Sequence, residues 1–445
     1  MKKLIDKLFE EGKSMGFTNM EVITSESNAF EVKIYKQEID SYKVTDSKGM
    51  GFRGDYEGQI GYSYTEKLAD DSIGILLREA KQNAQINDNK DKDEIFAGSS
   101  EYKEVDNYFP ELDKIEIREK IDFALKMEEI AKSLDPRVKS TPYCVFGSGS
   151  SKGSLVNSLG LDLEDKSNGV YCFLQVLAQD KEDLSDGFAY CFEKDFSLFD
   201  PEKIAKEAVD KAISFLGTKP IKSNEYKAII LNEVSSDILA TVNSCFSARA
   251  VQKGLSYMKG KLNTEVASDK VTLVDDPFLP GQSGTSSFDG EGVATKYKEV
   301  ISKGVLKTYL HNNKTAKIDK VESTGNASRS VKSTIGITPT NLFFKKGEKS
   351  LEELEKLMVD GIVITDVSAL HSGFNSISGD FSLPAKGYTI KDGKKDKCFR
   401  QVTIAGNYFD LLKDIEEVGE DLTFGSNGNI GSPSLYIKKI SLAGE

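Results

Sequence analysis

Histidine is nearly missing from this 445-residue chain, which holds only His311 and His371. Neither has a glutamate or a second histidine at helical ligand spacing, so no H-E-x-x-H zinc helix exists. Both are expected in loops or at the surface. Cysteine is scarce as well. Cys144, Cys172, Cys191, Cys245 and Cys398 form an odd set with no C-x-x-C pair. That pattern excludes a disulfide framework and fits reduced, buried thiols in a cytosolic protein. No apolar run approaches the roughly 20 residues that cross a bilayer. The opening "MKKLIDKLFEEGKSMGF" has acids where a signal peptide needs an apolar core. A cytoplasmic protein with no membrane partner is expected. Basic residues are outweighed, 59 against 71 acids, for a net charge of −12. An acidic surface repels phosphate backbones, so no nucleic-acid partner is expected. No repeat at a fixed period is visible.

A chain of this length suggests two or three domains. An amphipathic helix carried by Leu4, Ile5, Leu8 and Phe9 ends near Gly16. An antiparallel meander of about four strands follows, bounded by "DSKG" and "GDYEG", and then a helix over Leu68–Ala84. Residues 87–113 are acidic and polar and read as a linker. A helix over 114–134 leads into strands at "STPYCVFGSGSSKGSLVNSLGLDLEDKSNGVYCFLQVLAQD". The next helix has Asp200 as its cap, Pro201 in its first turn and Gly217 as its stop. The remainder is strand-rich. It includes a long helix over Val234–Gly254, a capped helix at "SLEELEKLMVDG", a type I′ hairpin at Asp392-Gly393 and a helix capped by Asn407. Helices and strands are segregated, which predicts an α+β fold: an N-terminal antiparallel sheet with helices, then a strand-rich C-terminal domain with a long helix. The expected domains are 1–90, 110–217 and 224–445.

Candidate chemistry is sparse. "GSGSSKGS" (147–154) lacks the G-K-[ST] ending of a phosphate loop and reads as a flexible hairpin turn. The acidic pair Asp275–Asp276 before Pro277 reads as a turn. Cys245 has only Arg249 within a helical turn to lower its pKa and reads as inert.

Several stretches together resemble the TldD/PmbA family, in its PmbA (TldE) branch. They are "YKEVISKGVLKTYLHNNKTA" leading into "STGNA", "GIVITDVSALHSGFNSISGDFSLPAKGYTIKDGK", "VTIAGNYFDLLKDIEEVGEDL", "SPSLYIKKISLAG" and, near the N-terminus, "AFEVKIYKQEIDSYKVTDSKGMGFRGDYEGQIGYS". The likeness covers nearly the whole chain. The TldD branch carries an H-E-x-x-x-H helix and a further zinc ligand near its C-terminus. Matched to this chain, the two histidines fall on Ala240 and Cys245 and the glutamate on Thr241, while "LTFGSNGNIGSPS" holds no cysteine. One thiol does not make a zinc site.

The resemblance therefore implies a non-catalytic subunit with no catalytic or metal residue of its own, a metallopeptidase family member expected to be inactive alone. Its partner would be a TldD-like metallopeptidase subunit carrying zinc, and its substrate an unfolded peptide. The family is also linked to microcin maturation, antitoxin degradation and the older description as a modulator of DNA gyrase. Ser323, Asn326, His371, Asn375 and Asp380, in the small-residue loops "STGNASR" and "HSGFNSISGD", are the candidates for lining a peptide cavity. Two alternatives stay open: a homo-oligomeric peptide-binding module, dimeric when alone, and an autonomous metallopeptidase with an unrecognised metal site.

Overall fold

The computed structural model describes residues 1–87, 93–426 and 428–445. Helix α1 (Lys2–Ser14) buries Ile5, Leu8 and Gly12. Three long strands follow rather than four: β1 (Phe17–Tyr35), β2 (Glu38–Tyr56) and β3 (Gln59–Thr65). "DSKG" lies inside β2, where Asp46 and Ser47 bond Asn28 and Ser27 across the ladder. The β1–β2 turn is at Lys36–Gln37, both with positive φ. Nothing local marks that turn. It is held from a distance by Glu128, whose carboxylate accepts from the Lys36 N–H at 2.9 Å and the Gln37 N–H at 2.6 Å.

Helix α2 (Asp70–Ile86) lies on β3, and Gly61 makes the approach possible, because a Cβ there would sit 1.8 Å from the Ala80 carbonyl oxygen. Helix α3 (Ile117–Leu134) precedes β4 (Val138–Asn157), β5 (Asp162–Asp180) and β6 (Asp183–Glu193). Helix α4 (Pro201–Ser214) starts as expected, with the Asp200 side chain accepting from the N–H groups of Glu202 and Lys203. The six strands form one antiparallel sheet in the order β3-β2-β1-β4-β5-β6. Residues 147–154 are not a turn but the middle of β4, paired with β1 on one side and β5 on the other. Glycine survives there because neighbours fill its space: a Cβ on Gly147 would lie 2.3 Å from the Tyr171 ring.

The C-terminal part begins at β7 (Asn224–Ile230) and helix α5 (Asn232–Val242). β7 pairs in parallel with Gly361–Val367 and antiparallel with Leu435–Ala443, at the centre of a mixed six-stranded sheet. A second sheet runs through Lys298–Ser302, Leu273–Asp275, Leu342–Phe344, Ile430–Ser432 and the edge strand Thr423–Phe424. One large core joins α5 to both, including Ile238, Leu239, Val300, Phe344 and Ile437. The fold is α+β. The capped helix is Leu351–Met358, with a capping box between Ser350 and Glu353. The hairpin turns at Asp392-Gly393, both at positive φ.

Two local expectations fail here for one reason: tertiary partners override local pattern. The stretch 234–254 is not one helix. After Val242 it tightens into a 3₁₀ turn (Asn243–Phe246), becomes extended at Ser247 and resumes over Ala248–Gln252. The backbone of Leu310 causes the break, donating to Phe246 O at 2.8 Å and accepting from Ala248 N at 2.9 Å. His311 lies in a loop, as expected, but is buried there, with Thr324 and Asn326 bonded to its backbone. Asp276 makes the expected turn, accepting from Phe278 N, but Asp275 is a fully buried strand residue.

The segment expected as a linker is docked. Residues 88–92 lie outside the described residues. Beyond them Ile95 is buried, Tyr102 donates to Gly292 O at 2.7 Å, and Asn107 donates to Thr285 O at 3.0 Å. Nearby, Glu21 on β1 pairs with Arg53 on β2 and with Arg329 of the C-terminal part, both at 2.7 Å and all desolvated.

Two buried acids border this ion cluster. Burial lifts Asp289 to about 6 against donations from the N–H groups of Ala327, Glu291 and Val293. Burial lifts Glu291 to about 7; the charge of Arg53 opposes it and Asp289 adds to it. Both folded pKa values exceed the unfolded ones, so the folded state holds protons that the unfolded state has lost. Their stabilisation is full below about pH 4 and disappears as pH rises through 6 to 7. At roughly 1.4 kcal/mol per pKa unit, the wild type should lose a few kcal/mol between pH 5 and 8. Glu291→Gln, which keeps an acceptor for Asn313 N–H, should flatten that slope by about half. Urea midpoints across this range measure it, and an unchanged slope would show that Glu291 does not titrate there.

Candidate functional site

Helix α5 and the C-terminal segment around residues 421–434 meet, and serines hold them together. Ser236 Oγ donates to Ile430 O at 2.8 Å, and Ser432 Oγ lies 2.7 Å from Ser235 Oγ. Asn232 Nδ2 donates to Asp421 O at 2.7 Å. A Cβ on Gly425 would lie 3.4 Å from Ser236 Oγ. The two stretches matched to metal-bearing segments are therefore neighbours in space.

Their side chains do not suit a metal. Ala240 packs half-buried against the core. Thr241 turns its hydroxyl back to Asp237 O at 2.9 Å, within its own helix. Cys245 sits in the 3₁₀ turn that follows α5, fully buried, with its thiol pKa raised by burial. Zinc takes three or four N, O or S ligands, and among the described residues no group of three or more His, Cys, Asp or Glu side chains is placed to hold an ion. This donor set does not fit zinc.

The five loop candidates fall into two separate places. Asn326 is buried, and its side chain is spent on a polar network: Nδ2 donates to Asp275 Oδ2 at 2.8 Å, and Oδ1 accepts from Thr324 Oγ1 at 2.8 Å and Lys298 Nζ at 3.1 Å. Lys298 also pairs with Asp275 at 2.7 Å. Ser323 donates to His311 O at 3.3 Å and borders a cavity of about 640 Å³ with Asn313 and Val293. His371 is exposed on the one-turn helix Leu370–Gly373. Asn375 Oδ1 accepts from the N–H groups of Ile377 and Ser378. Asp380 accepts from Asn407 Nδ2 at 2.9 Å and Ser378 Oγ at 2.7 Å, and those bonds, Asn407's first, hold its pKa below the usual carboxylate value. None of these bonds links the Ser323–Asn326 loop to the His371–Asp380 loop.

Beside the α5 contact lies a cleft that sequence reasoning missed. It measures about 790 Å³ and is lined by Phe109, Phe192, Lys194, Phe196, Phe424 and Gly428 among others. Its walls include the ends of two sheets, since β6 and Thr423–Phe424 are both edge strands. Burial lowers Lys194 to about 8, while its ammonium donates to Asn168 O. The one hint in sequence was the aromatic spacing of "CFEKDFSLF" around this lysine.

Three family models for PmbA/TldA metallopeptidases match the chain: domain 1 over residues 20–84, the central domain over 110–216 and the C-terminal domain over 223–444. The chain belongs to the PmbA/TldD metallopeptidase family. Among its relatives is the metalloprotease PmbA of Escherichia coli O157:H7, 24% identical over 97% of this chain and 93% of that protein. A solved structure from Thermotoga maritima, described as a modulator of a DNA gyrase, is 34% identical with a TM-score of 0.93, covering 99% of this chain and 100% of that one. TldE from Thermococcus kodakarensis shares the fold, with a TM-score of 0.89 at 23% identity over 99% of this chain and 100% of that one. Among the described residues no helix is long and apolar enough to cross a membrane.

Proposed function

We propose that this PmbA/TldD-family chain is a non-catalytic, TldE-like subunit of a two-component zinc peptidase acting on unfolded peptides in the cytoplasm. The observation that carries the reading is the chemistry at the positions matched to H-E-x-x-x-H: a methyl group, a hydroxyl spent on its own helix, and a thiol sealed in the core in the 3₁₀ turn after it. A TldD-like partner would bring zinc, its activated water and the glutamate base.

This chain's share is enclosure and positioning. The cleft between β6 and Thr423–Phe424 offers unpaired strand edges for an extended peptide backbone and phenyl rings for its apolar side chains. Folded proteins keep their backbone groups internally paired and are refused. The loops holding Ser323, Asn326, His371, Asn375 and Asp380 are proposed as further cavity wall. The net charge of −12 argues against direct binding to DNA.

The test is reconstitution. Purified chain alone should bind less than 0.1 zinc per chain by metal analysis and leave an unfolded peptide uncut. Adding it to a TldD-like partner from the same organism should raise peptide cleavage at least tenfold over the partner alone. Equal rates with and without this chain would overturn the subunit role. Stoichiometric zinc together with cleavage by the isolated chain would favour an autonomous enzyme. A stable homodimer that binds peptide and gains nothing from a partner would favour a binding module.

A further inference from the structure

The antiparallel register of β5 and β6 sets Cys172 directly opposite Cys191. Opposed residues in such a ladder have Cα atoms roughly 4.5–5.5 Å apart, within the roughly 4.4–6.8 Å that a disulfide spans. Both side chains point to the core beneath α3 and α4. The two thiols therefore face the same core from neighbouring strands, each the other's cross-strand partner.

Their surroundings differ. Cys172 is fully buried, whereas Cys191 lies on an edge strand and is partly open to solvent, with Lys203 of α4 nearby and the carboxylates of Glu193 and Glu207 opposing that charge. Cys191 is thus the reachable member of the pair, the sulfur an oxidant meets first, with Cys172 directly behind it to resolve the product. The third thiol of this core, Cys144, is otherwise engaged. It donates to Ala124 O at 3.3 Å, and burial pushes it up to about 12.

We propose that Cys172 and Cys191 form a redox site that closes to a disulfide on exposure to hydrogen peroxide. The Cys191 thiolate attacks one peroxide oxygen, the O–O bond breaks, and hydroxide leaves and takes up a proton to become water. Cys191 is then a sulfenic acid. Cys172 attacks its sulfur, the S–O bond breaks, the S–S bond forms, and a second water leaves with the Cys172 proton. Each sulfur gives up one electron, and peroxide is reduced to two waters. Cytosolic disulfides of this kind are usually transient and sensory rather than structural. The bridge would fasten the edge strand β6 to its neighbour just before Phe192 and Lys194, the wall of the aromatic cleft.

The test uses the folded full-length chain. It is treated with a modest excess of hydrogen peroxide, quenched with acid, unfolded in iodoacetamide and mapped by mass spectrometry. Alkylated thiols should fall from five to three. One peptide pair should join Cys172 to Cys191, and dithiothreitol should restore all five. Cys191→Ser, or Cys191→Ala if the serine variant folds poorly, should form no bridge. Cys398→Ser, which alters the other partly open thiol, should still form it. Five thiols surviving in the wild type, sulfinic acid at Cys191 in place of a bridge, a bridge to another cysteine, or loss of the bridge in Cys398→Ser would each overturn the proposal.

Discussion

Replacing Glu21 with alanine should destabilise the folded chain by about 3–5 kcal/mol, the usual cost of stranding a buried charge. Glu21 is fully buried and neutralises two guanidinium groups at once, Arg53 on the neighbouring strand and Arg329 from the C-terminal part. Its removal leaves two like charges close together in a buried, low-dielectric junction. The effect should therefore far exceed that of an exposed ion pair such as Lys7–Asp70, whose attraction water and salt screen away. Urea denaturation of Glu21→Ala beside Lys7→Ala makes the comparison. The Glu21 variant should also be cleaved faster by protease between its N-terminal sheet and C-terminal part, because the lost pair is one that ties them. A Glu21 variant no less stable than the Lys7 variant would show that water or another acid replaces the carboxylate.

Glu128→Ala should cost a similar amount, about 3–4 kcal/mol, by another route. The carboxylate accepts from two backbone N–H groups of the Lys36–Gln37 turn, from Thr141 Oγ1 at 2.5 Å, and from Lys132 Nζ at 2.9 Å. Alanine would orphan the donors and release a turn whose two residues sit at positive φ without being glycine. Burial raises the Glu128 pKa, but the bonds from Thr141, Lys132 and Gln37 outweigh it and leave the pKa lowered. With the folded value below the unfolded one, this contribution is complete above about pH 4.5 and is lost as pH falls through the folded value. The wild type should thus weaken in acid more than the variant does. Placing Gly at both Lys36 and Gln37 should recover part of the loss, since glycine adopts this turn without strain.

Much of the fold was legible where the chemistry is local. Asp200 before Pro201, Ser350 with Glu353, Asn407, and Asp392-Gly393 each carry their own instruction within a few residues, and each did what its pattern says. The misreadings share a different cause. The Lys36 turn is specified by Glu128, the strand through "GSGSSKGS" by neighbours on both sides, and the break at Ser247 by Leu310. None of those partners is near in sequence. The candidate site divides the same way. Resemblance located Ala240, Thr241 and Cys245, and side-chain chemistry alone showed what they lack. The serine contacts between α5 and the C-terminal segment, and the cleft around Phe192 and Lys194, arise only when distant segments meet.

The β1–β4 ladder runs unbroken from Glu21 opposite Asn157 to Lys33 opposite Val145, joining the first stretch of the chain to a strand more than a hundred residues later. Dissection by truncation is therefore a poor route to studying this molecule. A fragment ending near residue 100 would carry β1 with its long inner flank bare, and the complementary fragment would carry β4 in the same condition. Such flanks recruit any extended chain they meet. Each half expressed alone should go to inclusion bodies, and the two should be soluble only when made together.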